Sequence, residues 1–426
     1  MHQAPFADTF LRATIEYSHS ALMSIFYVIF VMLTAYFSFR YDGIEEYDSH
    51  KQHRFWLMCF YLICLSGFSY GLGGDKFAYI LEFEECPDRF TEMGNYIWIQ
   101  FMTKGQMPLW TLVNLLCKSV FHSFYALQLI ESAAINTAVC YIASKYTHRY
   151  FLFLLLYFFT LQYFIFNTEV MREGLAMSFV LFGMHGYLTG RKWLFYVLLP
   201  IGAMFHISAL AALLFPLARF RMSLKRFAIF CFISFVIWLL SDVLLGRVMI
   251  AVLGGMGAMV TKVLFYSLQA STIFGFLRSL ITYLIFPFII MYSAIQNETD
   301  EEQRRRMERM ISFMVILGVL AASFAGFIRL YNYSRTFYMV MFATFVYTMF
   351  REKRHLIVRL GTLAGTVFLL FLQYMIPYHT TNTHYYDFFF PYTCILDETH
   401  DVDIREVAHV EAVNEEGTDK SVRDIK

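Results

Sequence analysis

The sequence predicts an all-α, polytopic integral membrane protein with about twelve transmembrane segments, one pair of them forming a bent or re-entrant helical hairpin. Three observations carry this. Of 426 residues, 58% are hydrophobic and 16% charged, against roughly 45–50% and about 25% in a soluble domain. The apolar residues fall in long runs, and about 20 helical residues cross the hydrocarbon core. The breaks between runs are short and basic. This composition excludes a soluble enzyme, a disordered chain and a nucleic-acid binder. A net charge of +1 attracts no polyanion in bulk.

The runs occupy 21–39, 55–72, 124–144, 150–166, 171–189, 193–218, 227–245, 273–295, 310–328, 335–350 and 357–376. Helices are the form available to them, because an open sheet edge cannot sit in lipid. Lys and Arg mark the cytoplasmic loops. They occur at Arg40/Lys51/Arg54, Lys145/Arg149, Arg191/Lys192, Arg219/Arg221/Lys225/Arg226, Arg304/Arg305/Arg306/Arg309 and Arg351/Lys353/Arg354. Run 193–218 has a basic break at both ends, so a single span would strand one of them outside. A hairpin with its apex near Phe205-His206-Ile207-Ser208 resolves the conflict, since broken helices are tolerated where they line a cavity. Both termini then lie outside. Residues 1–396 form one membrane domain, and the polar stretch 397–426 is expected to be a disordered tail.

The segments left outside are 73–123, 246–272 and 377–393. Within the first, 94–122 mixes Trp98, Trp110, Asn114 and Lys118 with apolar residues, the pattern of helices lying on the membrane surface. The second carries Gly254-Gly255-Met256-Gly257 and another candidate interfacial helix. Cys59, Cys64, Cys117, Cys140 and Cys231 lie in apolar runs and are expected to be buried hydrophobes, while Cys86 and Cys394 lie in polar segments where a bond between them is conceivable. CxxC and CxxH spacings are missing, and the N-terminus lacks a signal-peptide pattern. Matching broken helices in two halves, the mark of many transporters, are not seen.

Charge at a membrane face is costly, about 2.5–3.5 kcal/mol for an Arg at a helix centre on insertion scales, so the external arginines are the first site candidates. Arg172 opens a helix at the outer face, where the dipole disfavours a cation; an anion there would be favoured by both helix and guanidinium. The plainer reading is an ion pair with Glu169 or Glu173. Arg329 and Arg335, with Tyr331 and Tyr333, are expected in a very short external turn. They suit a diphosphate clamp with aromatic faces for a sugar, or else an interfacial aromatic belt with snorkelling arginines. Arg278, near the outer end of its helix, is a weaker member of the set. His206, central in an apolar run, is the acid/base candidate, or a core histidine holding the bend. Asp75 follows Gly71-Leu72-Gly73-Gly74, where glycines let the chain turn close to a ligand; its plainer role is to cap a helix over 76–84. The segment around Asp387 and Pro391-Tyr392 is suggestive only. No phosphate loop, HExxH or Asp-rich metal motif occurs, so no cofactor and no metal are expected. An external cationic site suits a lipid-diphosphate donor, whose leaving group departs as a stable anion.

These residues, taken in order, resemble the EpsG family of Wzy-type polymerases. The matching features are Gly73-x-Asp75 with Tyr79, Asn167 with Met171–Ala176, Phe205–Leu210, Phe327–Arg335 and Pro391-Tyr392. Glu173 departs from the family's usual Arg-Gln pair. The resemblance implies a metal-independent glycosyltransferase of the bacterial inner membrane, its site facing the periplasm or exterior, that polymerises undecaprenyl-diphosphate-linked oligosaccharides into exopolysaccharide, capsule or O-antigen. Donor and acceptor would both be lipid-linked, in the bilayer. A chain-length regulator or export protein would be a possible partner, and nucleic acid would not. Arg172, Arg329 and Arg335 would hold the donor diphosphate, His206 would activate or orient the acceptor hydroxyl, and Asp75 would share acid/base work or bind sugar. The competing readings are a flippase or transporter of lipid-linked oligosaccharide and a membrane O-acyltransferase.

Overall fold

In the computed structural model the chain is described at residues 24–241, 272–296, 298–351, 356, 359–361, 363–367 and 388–396. Most of 246–272 and 357–376, Asp387 and the tail 397–426 lie outside these residues. Among the described residues the protein is helical with no strand, and a single isolated bridge joins Ser69 to Cys394. The helices are α1 (Ile25–Tyr41), α2 (Ser49–Gly67), α3 (Lys76–Glu84), α4 (Met93–Lys104), α5 (Pro108–Phe121), α6 (Phe124–Tyr146), α7 (Tyr150–Phe159), α8 (Gln162–Glu169), α9 (Met171–Leu188), α10 (Lys192–Phe205), α11 (Leu224–Leu239), α12 (Ile273–Gln296), α13 (Glu301–Ser323) and α14 (Ile328–Arg351). A 3-10 helix, Ile207–Leu217, follows α10.

Two of these helices, α6 and α12, are long and apolar enough to cross a membrane alone, and α7 with α8 forms a third crossing if the pair, bent by 77°, is one span. The sequence runs counted toward twelve segments are therefore not all long apolar helices among the described residues. Three causes are visible. Run 150–166 is bent at Leu161, and run 193–218 is broken at His206. Helices α13 and α14 carry their charges inside the helix, from Glu301 to Arg309 and at Arg329 and Arg335.

The break at His206 makes a hairpin. Phe195, near the start of α10, and Phe215, near the end of the 3-10 helix, approach to 6.2 Å between ring centroids. Both ends meet Tyr187: Lys192 Nζ lies 5.8 Å from its ring, and Arg219 Nη2 donates to its hydroxyl at 2.7 Å. Arg309 lies 5.2 Å from the same ring. The two basic breaks thus share one end of the bundle. Lys51, Arg149 and Arg306 are not on the Tyr187 ring but join the loops around Asp42, His148 and Tyr146.

Close approach of α9 and α10 needs small residues. A Cβ on Gly202 would stand 3.0 Å from Ala176 O, and one on Gly186 would stand 2.9 Å from Leu194 Cβ. One turn past Gly202 the Phe205 ring stacks on Phe179 of α9, with centroids 5.4 Å apart. Helices α4 and α5 occupy the stretch expected to lie on a surface. Gln100 is the only buried residue of α4, while Trp98, Ile99, Phe101 and Met102 are exposed. Cys86 and Cys394 are both free thiols, not a bonded pair.

Candidate functional site

The site is assembled on the break between α7 and α8. Leu161 takes a left-handed φ of 57°, costly for a branched side chain. The chain then runs through α8, whose last turns are π-helical, to Glu169. A buried polar network explains the distortion. Asn167 Oδ1 accepts from Asn136 Nδ2 at 2.7 Å and Ser66 Oγ at 2.9 Å, and Asn167 Nδ2 donates to Tyr163 O at 2.7 Å. Buried polar groups need partners, and α2, α6 and α8 supply them to one another.

The glycine loop before Asp75 is fastened to this segment. Gly71 and Gly73 have φ of 58° and 92°. A Cβ on Gly73 would meet Thr168 at 2.6 Å, so glycine is required there for both reasons. Gly74 N–H donates to the Glu169 carboxylate at 2.6 Å and Asp75 N–H at 3.4 Å. Tyr79 Oη donates to Glu169 O at 3.2 Å, and Lys76 Nζ donates to Asn167 O at 3.4 Å. From the other side the 388–396 segment clamps the loop. Gly73 N–H donates to Phe388 O at 3.0 Å, Tyr70 N–H to Thr393 O at 2.9 Å, and Tyr392 Oη to Leu65 O at 2.9 Å. Pro391-Tyr392 therefore belongs to the scaffold of the Asp75 loop.

Asp75, Arg172 and Arg329 all lie within electrostatic reach of Tyr79. All three act electrostatically on the Tyr79 hydroxyl, whose pKa burial raises. The Arg172 guanidinium lies 5.3 Å from the Tyr79 ring, and its Nη1 stands 3.6 Å from Glu82 Oε1. Glu82 also accepts from Trp110 Nε1 at 3.2 Å. The ion pair expected with Glu169 or Glu173 is thus made with Glu82 on α3, which is far in sequence. Asp75 makes no side-chain cap to the first turn of α3.

The stretch 328–335, expected as a short external turn, is the first two turns of α14. Arg329 is exposed at its start. Arg335 is two turns deeper, where its Nη1 donates to Gln162 Oε1 at 2.8 Å and its guanidinium lies 5.8 Å from the Tyr331 ring. A charge inside the helix is tolerable because these groups meet it. Tyr331 and Tyr333 are 3% and 1% exposed, so their rings face the bundle and not a solvent-side sugar. Asn332 donates to Glu173 Oε1 at 3.1 Å, and the cations acting on Glu173 are Arg329 and Arg335. Arg278 is exposed on α12, about one and a half turns before Tyr283, whose ring meets Tyr331 at 5.4 Å. No contact between Arg278 itself and the cluster is recorded among the described residues.

The His206 break is held by its own side chain. Nδ1 lies 2.5 Å from Ser208 Oγ and accepts from Ser208 N–H at 3.4 Å, while Ser208 Oγ lies 2.9 Å from Tyr333 Oη. Tyr333 follows Asn332, so this chain runs beside the Glu173 contact that ties α14 to α9.

The sequence model of the EpsG family matches residues 54–394. The chain belongs to the EpsG family, which is a family of Wzy-like polysaccharide polymerases. Comparison with curated proteins and with solved structures gives no match. Every element of the site just described falls within the matched residues. This EpsG-family protein is thus a helical membrane protein with a polysaccharide polymerase-type activity.

Sequence reasoning missed several residues of this candidate site. Lys76 is 1% exposed, and burial pulls its ammonium down to about 8 against the raising effect of Glu131 and Glu169. Glu131 is fully buried with neither oxygen hydrogen-bonded, and a Cβ on Gly174 would stand 2.5 Å from its Oε1. A lone acid within the apolar run 124–144 was the available signal, because such a residue in a span is functional by default. Gln162 and Glu82 gave no signal, since their partners are distant in sequence.

Proposed function

We propose that this protein is a glycosyltransferase of the bacterial inner membrane that joins lipid-linked repeat units at the periplasmic face. Its substrates are undecaprenyl-diphosphate-linked oligosaccharides, and its product is an exopolysaccharide, capsule or O-antigen. The chain crosses the membrane in about twelve segments, with the basic Tyr187 end in the cytoplasm by the positive-inside rule. The observation that carries the reading is the gathering of Arg172, Arg329 and Asp75 from distant parts of the chain, with Arg335 two turns below.

In the reaction the acceptor hydroxyl oxygen attacks the anomeric carbon of the donor, and the bond from that carbon to the diphosphate breaks. Charge develops on the departing diphosphate. Arg172 and Arg329, with Arg335 two turns below and Arg278 as a weaker member of the set, stabilise it by preorganised positive charge, and no metal is required. Asp75 takes the acceptor proton, and His206 orients the acceptor. Glu82 keeps the Arg172 fork in place between turnovers.

The test is Arg172→Lys in the full-length protein, read as polymer length in a strain lacking the native copy. Lysine keeps the charge but loses the planar fork that matches phosphate oxygens. The expected result is normal insertion with at least a tenfold loss of polymer, and single repeat units accumulating on the outward-facing lipid. A fully active variant would remove the diphosphate role, because an Arg172 that only pairs with Glu82 is replaceable by Lys.

A further inference from the structure

A second group of cations lies at the Tyr187 end of the bundle, away from Arg172. Arg172 and Tyr187 stand near opposite ends of α9, about 22 Å apart at 1.5 Å per residue. Arg219, two residues before Arg221, and Arg309, next to Glu308, are the cations on Tyr187. Beside them a cavity of about 360 Å³ opens where α11 and α13 begin and α12 ends. That volume is in the range of small-molecule sites, roughly 300–1,000 Å³. Arg221, Arg226 and Arg304 line it with Ser223 and Tyr292, and Glu308 is the one carboxylate among its lining residues. Three guanidiniums against one carboxylate leave an excess of positive charge. Basic residues scattered over a membrane face are ordinary, but that rule does not account for arginines from three segments lining one hollow.

These cations are held in place without being used up. Arg221 Nε stands 3.6 Å from one Glu308 oxygen and Arg304 Nε 3.9 Å from the other, charge contacts too long to be hydrogen bonds. Arg226 donates through Nη1 to Arg221 O and through its backbone N–H to Ser223 Oγ at 3.3 Å. That fixes it in the first turn of α11, where the helix dipole adds positive potential. Each guanidinium has five N–H donors in a planar fork, more than these partners take. The Tyr292 ring stacks on Phe288 at 5.2 Å and Phe288 on Phe227 at 3.7 Å, which joins α12 to α11 beside the cavity.

We propose that this cavity binds a phosphate group, and that the phosphate is the phosphodiester of an anionic phospholipid. Guanidinium forks match phosphate oxygens bidentately, and a basic pocket between helix ends attracts anionic headgroups. Helix α11 starts at the cavity and carries exposed Leu224, Ile229 and Phe232, an apolar surface for the acyl chains. The binding does not depend on the glycosyl transfer proposed above; only the lipid's place in the cytoplasmic leaflet rests on that topology.

The test is native mass spectrometry of the full-length protein in detergent with equal amounts of phosphatidylglycerol and phosphatidylcholine. The expected result is one retained phosphatidylglycerol, preferred by roughly fivefold or more. Arg226→Gln with Arg304→Gln should abolish the preference. Arg191→Gln, exposed at the same end but outside the cavity, should keep it. Glu308→Gln removes the opposing carboxylate and should raise the preference, a gain that damage to the fold would not produce. Equal retention of the two lipids by the wild type, an unchanged preference in the double variant, or a lowered one in Glu308→Gln overturns the proposal. Inorganic phosphate separates the two sources of the group: the lipid should stay bound when phosphate is added at equal concentration. If phosphate displaces it, and the same two arginines are needed for phosphate to bind, the cavity takes free phosphate and the lipid assignment falls.

Discussion

Two broken helices flank the site, and they are broken by different physics. At His206 the break residue secures itself: its backbone is extended, its N–H donates to Gly202 O at 3.0 Å, and its ring caps the next helix at Ser208. At Leu161 the break residue is apolar and contributes nothing polar but its backbone. There the neighbours do the securing. Thr160 Oγ1 donates to Leu156 O at 2.7 Å, Gln162 meets Arg335, and Asn167 and Glu169 bond to α6 and to the Asp75 loop. Irregular backbone at membrane depth must be satisfied by protein. One break does so locally, within His-x-Ser, and the other through side chains from four distant segments. The local one can be seen in a sequence; the distributed one cannot. It is the distributed one that gathers Asp75, Arg172 and Arg335.

The largest effect should come from removing a distant support of the Leu161 break. Lys76 is the cation that acts on Glu131 and Glu169, both buried. Lys76→Met leaves those carboxylates without it, and breaking a buried charge pair costs about 3–5 kcal/mol. Lys76→Met with Glu131→Gln should recover part of that loss, since one of the two uncompensated groups is then neutral and Glu169 keeps its bonds to the Gly74 and Asp75 N–H groups. Thermal unfolding in detergent checks both variants. A single variant within 1 kcal/mol of wild type, on the scale of an ordinary surface change, would mean that the loop is held by its backbone contacts alone.

The same contrast explains what the sequence disclosed. The hairpin was legible because charge on both sides of 193–218 constrains topology, and a central His marks an expensive position. Arg172 and Arg329 stood out as misplaced cations and Asp75 by the glycines before it, and all three act on Tyr79. The geometry of 328–335 was not legible. Two arginines suggested a loop, but Gln162 and the Tyr331 ring meet Arg335 and let the helix continue through it. The bend at Leu161 lies in an unbroken apolar run with no Gly or Pro at the break, the residues that usually cause one. Its cause is the Asn136, Asn167 and Ser66 network, whose members stand on three helices.

An intermediate effect is expected at Gln162, which exists in its present position only because the chain turns at Leu161. Gln162→Leu removes the acceptor of Arg335, and hydrogen bonds to charged groups contribute about 1.5–3 kcal/mol. Gln162→Glu sharpens the comparison by separating stability from charge. It gives Arg335 a carboxylate, so the protein should be as stable as wild type. Yet it neutralises a cation assigned to the diphosphate, so polymer yield should fall severalfold. Equal polymer from Gln162→Glu and wild type would confine Arg335 to a structural role.

The smallest effect is expected beside the self-secured break. Gly202 lies one turn before His206, and a Cβ there would stand 3.0 Å from Ala176 O and 3.1 Å from Val180 Cγ2. The valine methyl can rotate away, but the carbonyl belongs to the α9 backbone and cannot. Gly202→Ala must therefore push α10 from α9 by a few tenths of an ångström. Overpacking costs about 1–3 kcal/mol, and the gain in helix propensity, about 1 kcal/mol for Gly to Ala, offsets part of it. A net loss of about 1 kcal/mol is expected. Because the hydrogen bonds that hold His206 are local, the ring should keep its Ser208 and Tyr333 contacts while α10 moves from α9. Polymer should then shorten while the nitrogen-15 NMR signature of labelled His206 stays as in the wild type. If the signature changes with the spacing, the His206 break depends on α9 as much as the Leu161 break depends on its neighbours, and the two are not different in kind.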